Sequence, residues 1–593
     1  MILVLALLAA LLVTQAPVAP PRILSANLPA QATLAGGERA MYSIDVPANY
    51  AARVIVQQQG IDVGVMLKRR AASTPLHGLG FVSAPSGEER QYAPVVDVAS
   101  TWDIRVGAQL PKAPRANYTI TVEVVPADER DRAVAAAHAM HYDASEASWV
   151  NDYRRAHGLY AAAAEAALKV DDLSIAAEST YQRARMHDQF GDTPGAIAWQ
   201  LRALELFRRL GQIDRQGRVL NRLGDLSRKV GEVVDAERYF DEALPLAREC
   251  KDTANVADVI NNSGLLLLVT GRPEDAITRL ESGLPMAREI NSANVEAALL
   301  NNVGESYRRL GVYDRSIATL AEAVPVYDRL NLPRRTARLN YTMASTYYES
   351  GDRAEAERAI RRSLELYGQS EDQLGYADSL GLSARMLHAS GDTDRALQQF
   401  AEARPLLQKA KSRFGEAMLL ASWAEIDIDR SDYAAALDKL QQAIALSRAS
   451  NNPYTETRSH YLRAVALQRD HRVDEAVKAI EIVIERVEAM RGSIARSDLR
   501  TSYLAAVRSY YDFYVDLLQQ RGDAAAAFEV SWRAPARTLL EGLAEAAAKI
   551  EKGADPALVA KQRAVQRALN AKESYRADVA LRDGENSPAA RAV

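Results

Sequence analysis

Small and bulky apolar side chains recur along most of this chain in columns 40 residues apart. One small column is Ala196, Ala236, Ala276, Ser316, Ala356, Ala396, Ala436 and Ala476; another is Ala184, Gly224, Gly264, Gly304, Ala344, Ala384, Ala424 and Ala464. A bulky column runs Phe240, Leu280, Leu320, Ile360, Phe400, Leu440, Ile480. A third small column follows it: Ala203, Ala243, Gly283, Ala323, Ser363, Ala403, Ala443. Glycine marks the beat at 191, 231, 271, 311, 351 and 391, and the same register continues to Ser431 and His471. A repeat of this length predicts a stacked solenoid. Each unit reads as two helices joined by a tight turn at the beat, where glycine reaches a positive φ without a Cβ penalty. Small residues fall where helices approach closely, and bulky ones fill the gaps between.

The order of small, aromatic, Gly, Ala, Phe and Ala positions, clearest in Asn302–Tyr307 and Ala236–Ala243, resembles the tetratricopeptide repeat. The resemblance implies a right-handed two-helix solenoid with a concave groove. The period exceeds that family's usual ~34 residues, and the surplus is expected between units, as in Arg248–Val256. Pro245, Pro285, Pro325 and Pro405 share one column inside the second helix and predict a repeated bend, because an interior proline removes a backbone hydrogen bond.

The period changes in residues 23–126, where apolar and polar residues alternate in short β-branched runs such as Arg53–Gln57 and Tyr118–Val124. Six or more such runs punctuated by Gly and Pro predict a β-sandwich. Leu34-Ala35-Gly36-Gly37-Glu38 with Gly60-Ile61-Asp62-Val63 resembles the jelly-roll-like module found beside secreted bacterial peptidases. The fold class is therefore mainly α, with an N-terminal β-sandwich. The domains read as 1–22, a signal peptide or membrane tether; 23–126, the sandwich; 127–170, a degenerate capping helix pair; 171–490, the repeat array; and 491–593, a helical lead-in with a disordered tail. The apolar run Ile2–Val13 is shorter than the ~20 residues of a membrane-spanning helix and fits a secretory h-region. A buried N-terminal helix is the alternative, opposed by the prolines that follow. Export or tethering outside the cytoplasm, in a bacterial chain, is the resulting expectation.

A formal net charge of −4 and no basic run interleaved with aromatics argue against nucleic acid as a partner. The single cysteine, Cys250, excludes an intramolecular disulfide framework. No phosphate-binding Gly-Lys-Ser/Thr loop and no Gly-x-Ser-x-Gly elbow occur, so no cofactor is expected. His138, His141 and His157 lack further ligands at matching spacing and read as helix surface rather than a metal site.

After Arg491 the period is lost. Tyr510–Leu518 and Asp523–Glu541, with Ala527-Phe528-Glu529-Val530 and Arg533–Glu541, resemble the helical lead-in to the caspase-like CHAT domain over residues 491–575. Pro535 departs from that pattern. The resemblance implies a peptidase module whose His and Cys lie downstream of the lead-in. The last histidine here is His471, so no catalytic residue is assigned and this chain is not read as an enzyme. The alternative is a cysteine peptidase whose His/Cys pair lies past residue 593.

The expected function is protein or peptide binding in the concave groove, lined by the first helix of each unit. Asn221, Asn261 and Asn301 share one column on that helix. An amide carries both a donor and an acceptor, so such a column can grip an extended peptide backbone, or instead bridge adjacent helices. Arg228 and Arg308, seven residues further on, can meet a carboxylate bidentately. The column ends at Tyr341, Gly381, Ala421 and Tyr461.

Overall fold

The computed structural model describes residues 21–532, apart from 62, 71–76, 80–85, 109–113, 331 and 371. The apolar run at the N-terminus and the lead-in beyond 532 lie outside the described residues. The chain divides into two compact units, Met1–Arg463 and Ala464–Val593.

Among the described residues nine strands come first: β1 (Arg22–Ile23), β2 (Ala30–Leu34), β3 (Arg39–Val46), β4 (Tyr50–Gln59), β5 (Val63–Arg69), β6 (His77–Leu79), β7 (Ser86–Ala93), β8 (Ser100–Ala108) and β9 (Ala116–Pro126). They form a five-stranded sheet, β1-β3-β8-β5-β6, and a four-stranded sheet, β2-β9-β4-β7. Alternation decides the faces. Ile44, Val65, Trp102 and Ile104 of one sheet meet Val54, Val56, Ile120 and Val122 of the other in one core. The hydroxyls of Tyr42 and Tyr118 join across it at 2.6 Å, so neither is left unsatisfied by burial.

Helices then continue to the end of the described chain. A first pair, Glu129–Trp149 and Tyr153–Lys169, is held to the sandwich by Arg53, whose guanidinium reaches the buried Asp131 carboxylate at 2.5 Å. The array follows as Leu173–Gln189 with Thr193–Arg209, Ile213–Val230 with Val233–Glu249, Thr253–Val269 with Pro273–Glu281 and Leu284–Glu289, and Ala293–Arg309 with Tyr313–Leu330. It goes on as Pro333–Ser350 with Arg353–Gln369, Gln373–Ala389 with Thr393–Lys409, and Arg413–Asp429 with Tyr433–Ala449, then Pro453–Arg469 and Val473–Ser493. Among the described residues the second unit continues with Ser497–Ala506, Arg508–Gln520 and residues 524–532. Within it, Tyr511 and Tyr514 donate to Glu488 and Glu481 at 2.6 and 3.2 Å.

The glycine beat is a left-handed turn throughout, with φ from 72° at Gly311 to 94° at Gly391, and Ser431 and His471 keep the same conformation at 61°. A second beat lies midway. Asp171, Gly211, Lys251, Asn291, Lys411 and Asn451 also have φ between 48° and 67°. The turn between units is therefore of the same kind as the turn within a unit. The residue after each turn closes the helix behind it, as when the Asp192 N–H returns to the His187 carbonyl at 2.9 Å. It also opens the helix ahead: the carboxylates of Asp192, Asp252, Asp352, Asp372 and Asp392 accept from the N–H three residues on. This corrects the expectation that the surplus residues sit between units. Arg248–Val256 is the end of one helix, a short turn and the start of the next. The long period lies in the helices themselves, mostly of 17 residues.

The alanines of all three small columns have no measurable exposure, and Phe240, Leu280, Leu320, Phe400 and Leu440 are at most 2% exposed. The close approach is direct: a Cβ added to Gly224 would stand 2.5 Å from the Phe240 ring, and one on Gly304 would stand 2.6 Å from Leu320. Pro245, Pro325 and Pro405 lie inside unbroken helices. Only Pro285 accompanies a break, after Ser282-Gly283. There the poor helix propensity of glycine adds to the hydrogen bond lost at proline.

Two local expectations are corrected. His138 and His141 are buried, not on the helix surface, at 2% and 0% exposure. His138 bonds Asp172 at 2.9 Å, and His141 bonds the Ser179 hydroxyl at 2.7 Å. Burial and the neighbouring cationic centres push the His141 imidazole down to about 3, which keeps it neutral.

Candidate functional site

The first helices of successive units pack on one another as well as on their own partners, and so form the inner wall of the array. The asparagine column lies there, but its amides bond to neighbouring asparagines outside the column. Asn221 donates to Asn255 at 3.3 Å and accepts from Asn262 at 3.0 Å. Asn262 accepts from Asn261 at 3.3 Å, Asn261 accepts from Asn302 at 3.0 Å, and Asn302 accepts from Asn301 at 3.3 Å. Six side chains thus form one amide ladder across three units. Each donates to the next because an amide carries a donor and an acceptor side by side. The ladder stops where the sequence does: position 342 is Thr, whose hydroxyl turns back to the Arg338 carbonyl. The Asn301 Oδ1 atom is left buried without a partner.

Arg228 and Arg308 are likewise held by the chain's own carboxylates. Arg228 bonds Asp225 at 2.7 Å, in a cluster with Arg222, Lys229 and Asp188. Burial acts to raise the Asp225 pKa, but Arg228, Lys229 and Arg222 outweigh it and hold the carboxyl below the usual range. Arg308 grips Glu305 with two nitrogens, at 2.5 and 2.7 Å, and also meets Glu349. Arg309 joins the same Glu305 at 2.8 Å. Burial opposes ionisation of Glu305 too, and Arg308 and Arg309 bring it down to about 2.

Beyond the ladder the inner wall opens. A small pocket is lined by Tyr341, Asp378, Gly381, Arg385, Ser422 and Arg458, over an apolar floor that includes Leu382, Met418 and Leu419. It exists because the asparagine column becomes Gly381 and Ala421: a Cβ at Gly381 would meet nothing within 4 Å. Arg458 bonds the Ser422 hydroxyl at 3.1 Å and Glu425 at 2.6 Å, while Arg385 lies over the Tyr348 ring at 4.9 Å. Asp378 differs from Asp225 and Glu305. Burial, then the nearby Asp372 charge, push it up to about 7 against the pull of Arg338. The column at 341, 381 and 421 was visible in the sequence as an interruption of the asparagines. Its meaning as an opening depends on how the helices stack around Gly381.

Among the described residues no group of three or more His, Cys, Asp and Glu side chains could hold a metal. Cys250 is half-buried, and burial followed by Asp214, Glu249 and Asp252 pushes its thiol up to about 11, away from the reactive thiolate.

The tetratricopeptide-repeat family profile matches residues 215–289, 295–369 and 335–409. The array is thus a solenoid that carries tetratricopeptide repeats. No curated protein matches the chain. Among solved structures it is similar to BtubC from P. vanneervenii, at 22% identity over 36% of this chain and 91% of that one, with a TM-score of 0.32. It is similar to the aspartyl phosphate phosphatase F of Bacillus subtilis, at 15% identity over 47% and 72%, with a TM-score of 0.41. A Rap protein in complex with competence and sporulation factor aligns at 13% identity over 58% and 99%, with a TM-score of 0.40.

Proposed function

We propose that the array is a protein-binding scaffold whose inner wall takes an extended segment of a partner. One observation carries this reading. The amide ladder and the Glu305 and Asp225 clusters fill their part of the inner wall with side chains bonded to one another, and the pocket around Gly381 and Asp378 opens beyond them. A partner side chain entering there meets an apolar floor and polar groups at the rim, the usual composition of a recognition site. The asparagines and the two arginines then shape and stiffen the wall, and the partner's backbone passes over them. The test is binding of peptides selected from a random library on the intact chain, repeated with Gly381→Leu. The leucine fills the pocket and leaves the ladder untouched. Equal affinity for both chains rejects the pocket as the recognition site.

Two narrower readings belong to this proposal. The aromatic helix Arg508–Gln520, with Tyr511 and Tyr514 pinned to Val473–Ser493, supports a CHAT-type lead-in. The scaffold would then be the recognition part of such a protein. A reading frame continuing past codon 593 into a His and Cys pair would make the product a cysteine peptidase instead. The N-terminal apolar run supports export or tethering, which fractionation of the expressing cell tests. No described helix is long and apolar enough to cross a membrane.

A further inference from the structure

Residues 449–454 touch parts of the array that are distant in sequence. The Asn451 side-chain amide donates to the Gly231 carbonyl at 2.6 Å, across 220 residues. A Cβ on Gly231 would stand 3.1 Å from the Ala449 carbonyl oxygen, so the two turns lie in contact. One helical turn further on, the Arg309 guanidinium covers the Tyr454 ring at 4.4 Å, and the Tyr454 hydroxyl is buried without a partner. The turn that opens Pro453–Arg469 is thus fastened to the far ends of Ile213–Val230 and Ala293–Arg309. Both fastenings join the first-helix ends of earlier units, so this stretch of the array closes on itself. The same segment continues into Arg458, a wall of the pocket. Arg309 is bonded to Glu305, and Tyr341 lines the same pocket as Arg458.

We propose that residues 449–454 are a latch that holds the array closed and gates entry to the inner wall. The two contacts named above are small: one hydrogen bond at an exposed turn and one cation–ring contact. Contacts of that size break in local openings without global unfolding. Their release would free the wall formed by Arg458 and open a lateral path to the pocket. The latch itself rests on geometry alone. Its meaning as a gate rests on the inner-wall reading, and the experiment uses no partner, so the two can fail separately.

The probe is a thiol introduced by Met418→Cys on the pocket floor, in a Cys250→Ser background. It is reacted in the full chain with a small methanethiosulfonate and with a bulky polyethylene-glycol maleimide. With Asn451→Gly and Tyr454→Leu added, the bulky reagent reacts about tenfold faster and the small one at an unchanged rate, as expected for a gate opened by local release. Equal rates for the bulky reagent with and without the latch residues overturn the proposal. Glycine at 451 keeps the left-handed turn and removes only the amide. If the double substitution costs the chain its cooperative melt, Asn451→Gly alone is therefore measured. Spin labels on Val234→Cys and Ala445→Cys, both exposed, give a second readout. Their separation is short and narrow with the latch intact and broadens in Asn451→Gly; an unchanged distribution contradicts the latch.

Discussion

Gln200 occupies the position that Phe240, Leu280 and Leu320 fill in later units. It is fully buried, and neither its amide nitrogen nor its oxygen has a partner. A buried amide with no hydrogen bond costs roughly 1–3 kcal/mol. Gln200→Leu should therefore stabilise the first unit by about that amount, seen as a higher midpoint in urea; a lower midpoint would mean that the amide has a partner in solution. Asp378 sets a pH dependence by the same logic. A carboxyl raised from 3.8 to about 7 takes up a proton on folding. Its contribution to stability is thus full below about pH 4 and is lost as the pH rises through 7. Melting temperature should fall between pH 5 and 8 in the native chain, and less steeply in Asp378→Asn. Parallel profiles for the two chains would show that Asp378 titrates normally.

At the scale of elements, the helix pairs and their close contacts were legible because they depend on side-chain volume. Volume is written directly in the columns Gly224, Gly264 and Gly304 against Phe240, Leu280 and Leu320. The glycine beat was legible because only a residue that tolerates positive φ repeats there. The second beat was not, since Asp171, Lys251, Asn291 and Lys411 have little in common beyond polarity. The asparagine column was visible, but the bonds between its amides and the neighbouring asparagines were not. The doublets Asn261-Asn262 and Asn301-Asn302 were the available signal, since adjacent amides on one helix can each reach a different neighbour. Asn262→Ala removes two rungs and leaves Asn221 and Asn261 short of a partner. The expected cost is about 2–4 kcal/mol, at roughly 1–2 kcal/mol per broken buried bond. In a near one-dimensional array, hydrogen exchange should rise first in the adjacent units. Uniform exchange along the array would contradict the ladder as a local brace.

At the scale of the molecule, the sequence carried the solenoid but not its coiling. Contacts 220 residues apart, such as Asn451 with Gly231, depend on a small rotation added at every unit, which no single column records. The pocket has the same origin: Gly381 and Ala421 announce missing side chains, while Tyr341 and Arg458 become its walls only once the units are stacked. The most direct measurement is the affinity of library-selected peptides for the native chain and for Gly381→Leu, with melting followed in parallel. Filling open space in a helix and removing a glycine should raise stability by up to about 1 kcal/mol. The account predicts that Gly381→Leu melts at or above the native temperature and loses binding at least tenfold. Undiminished binding by a folded Gly381→Leu chain would contradict it.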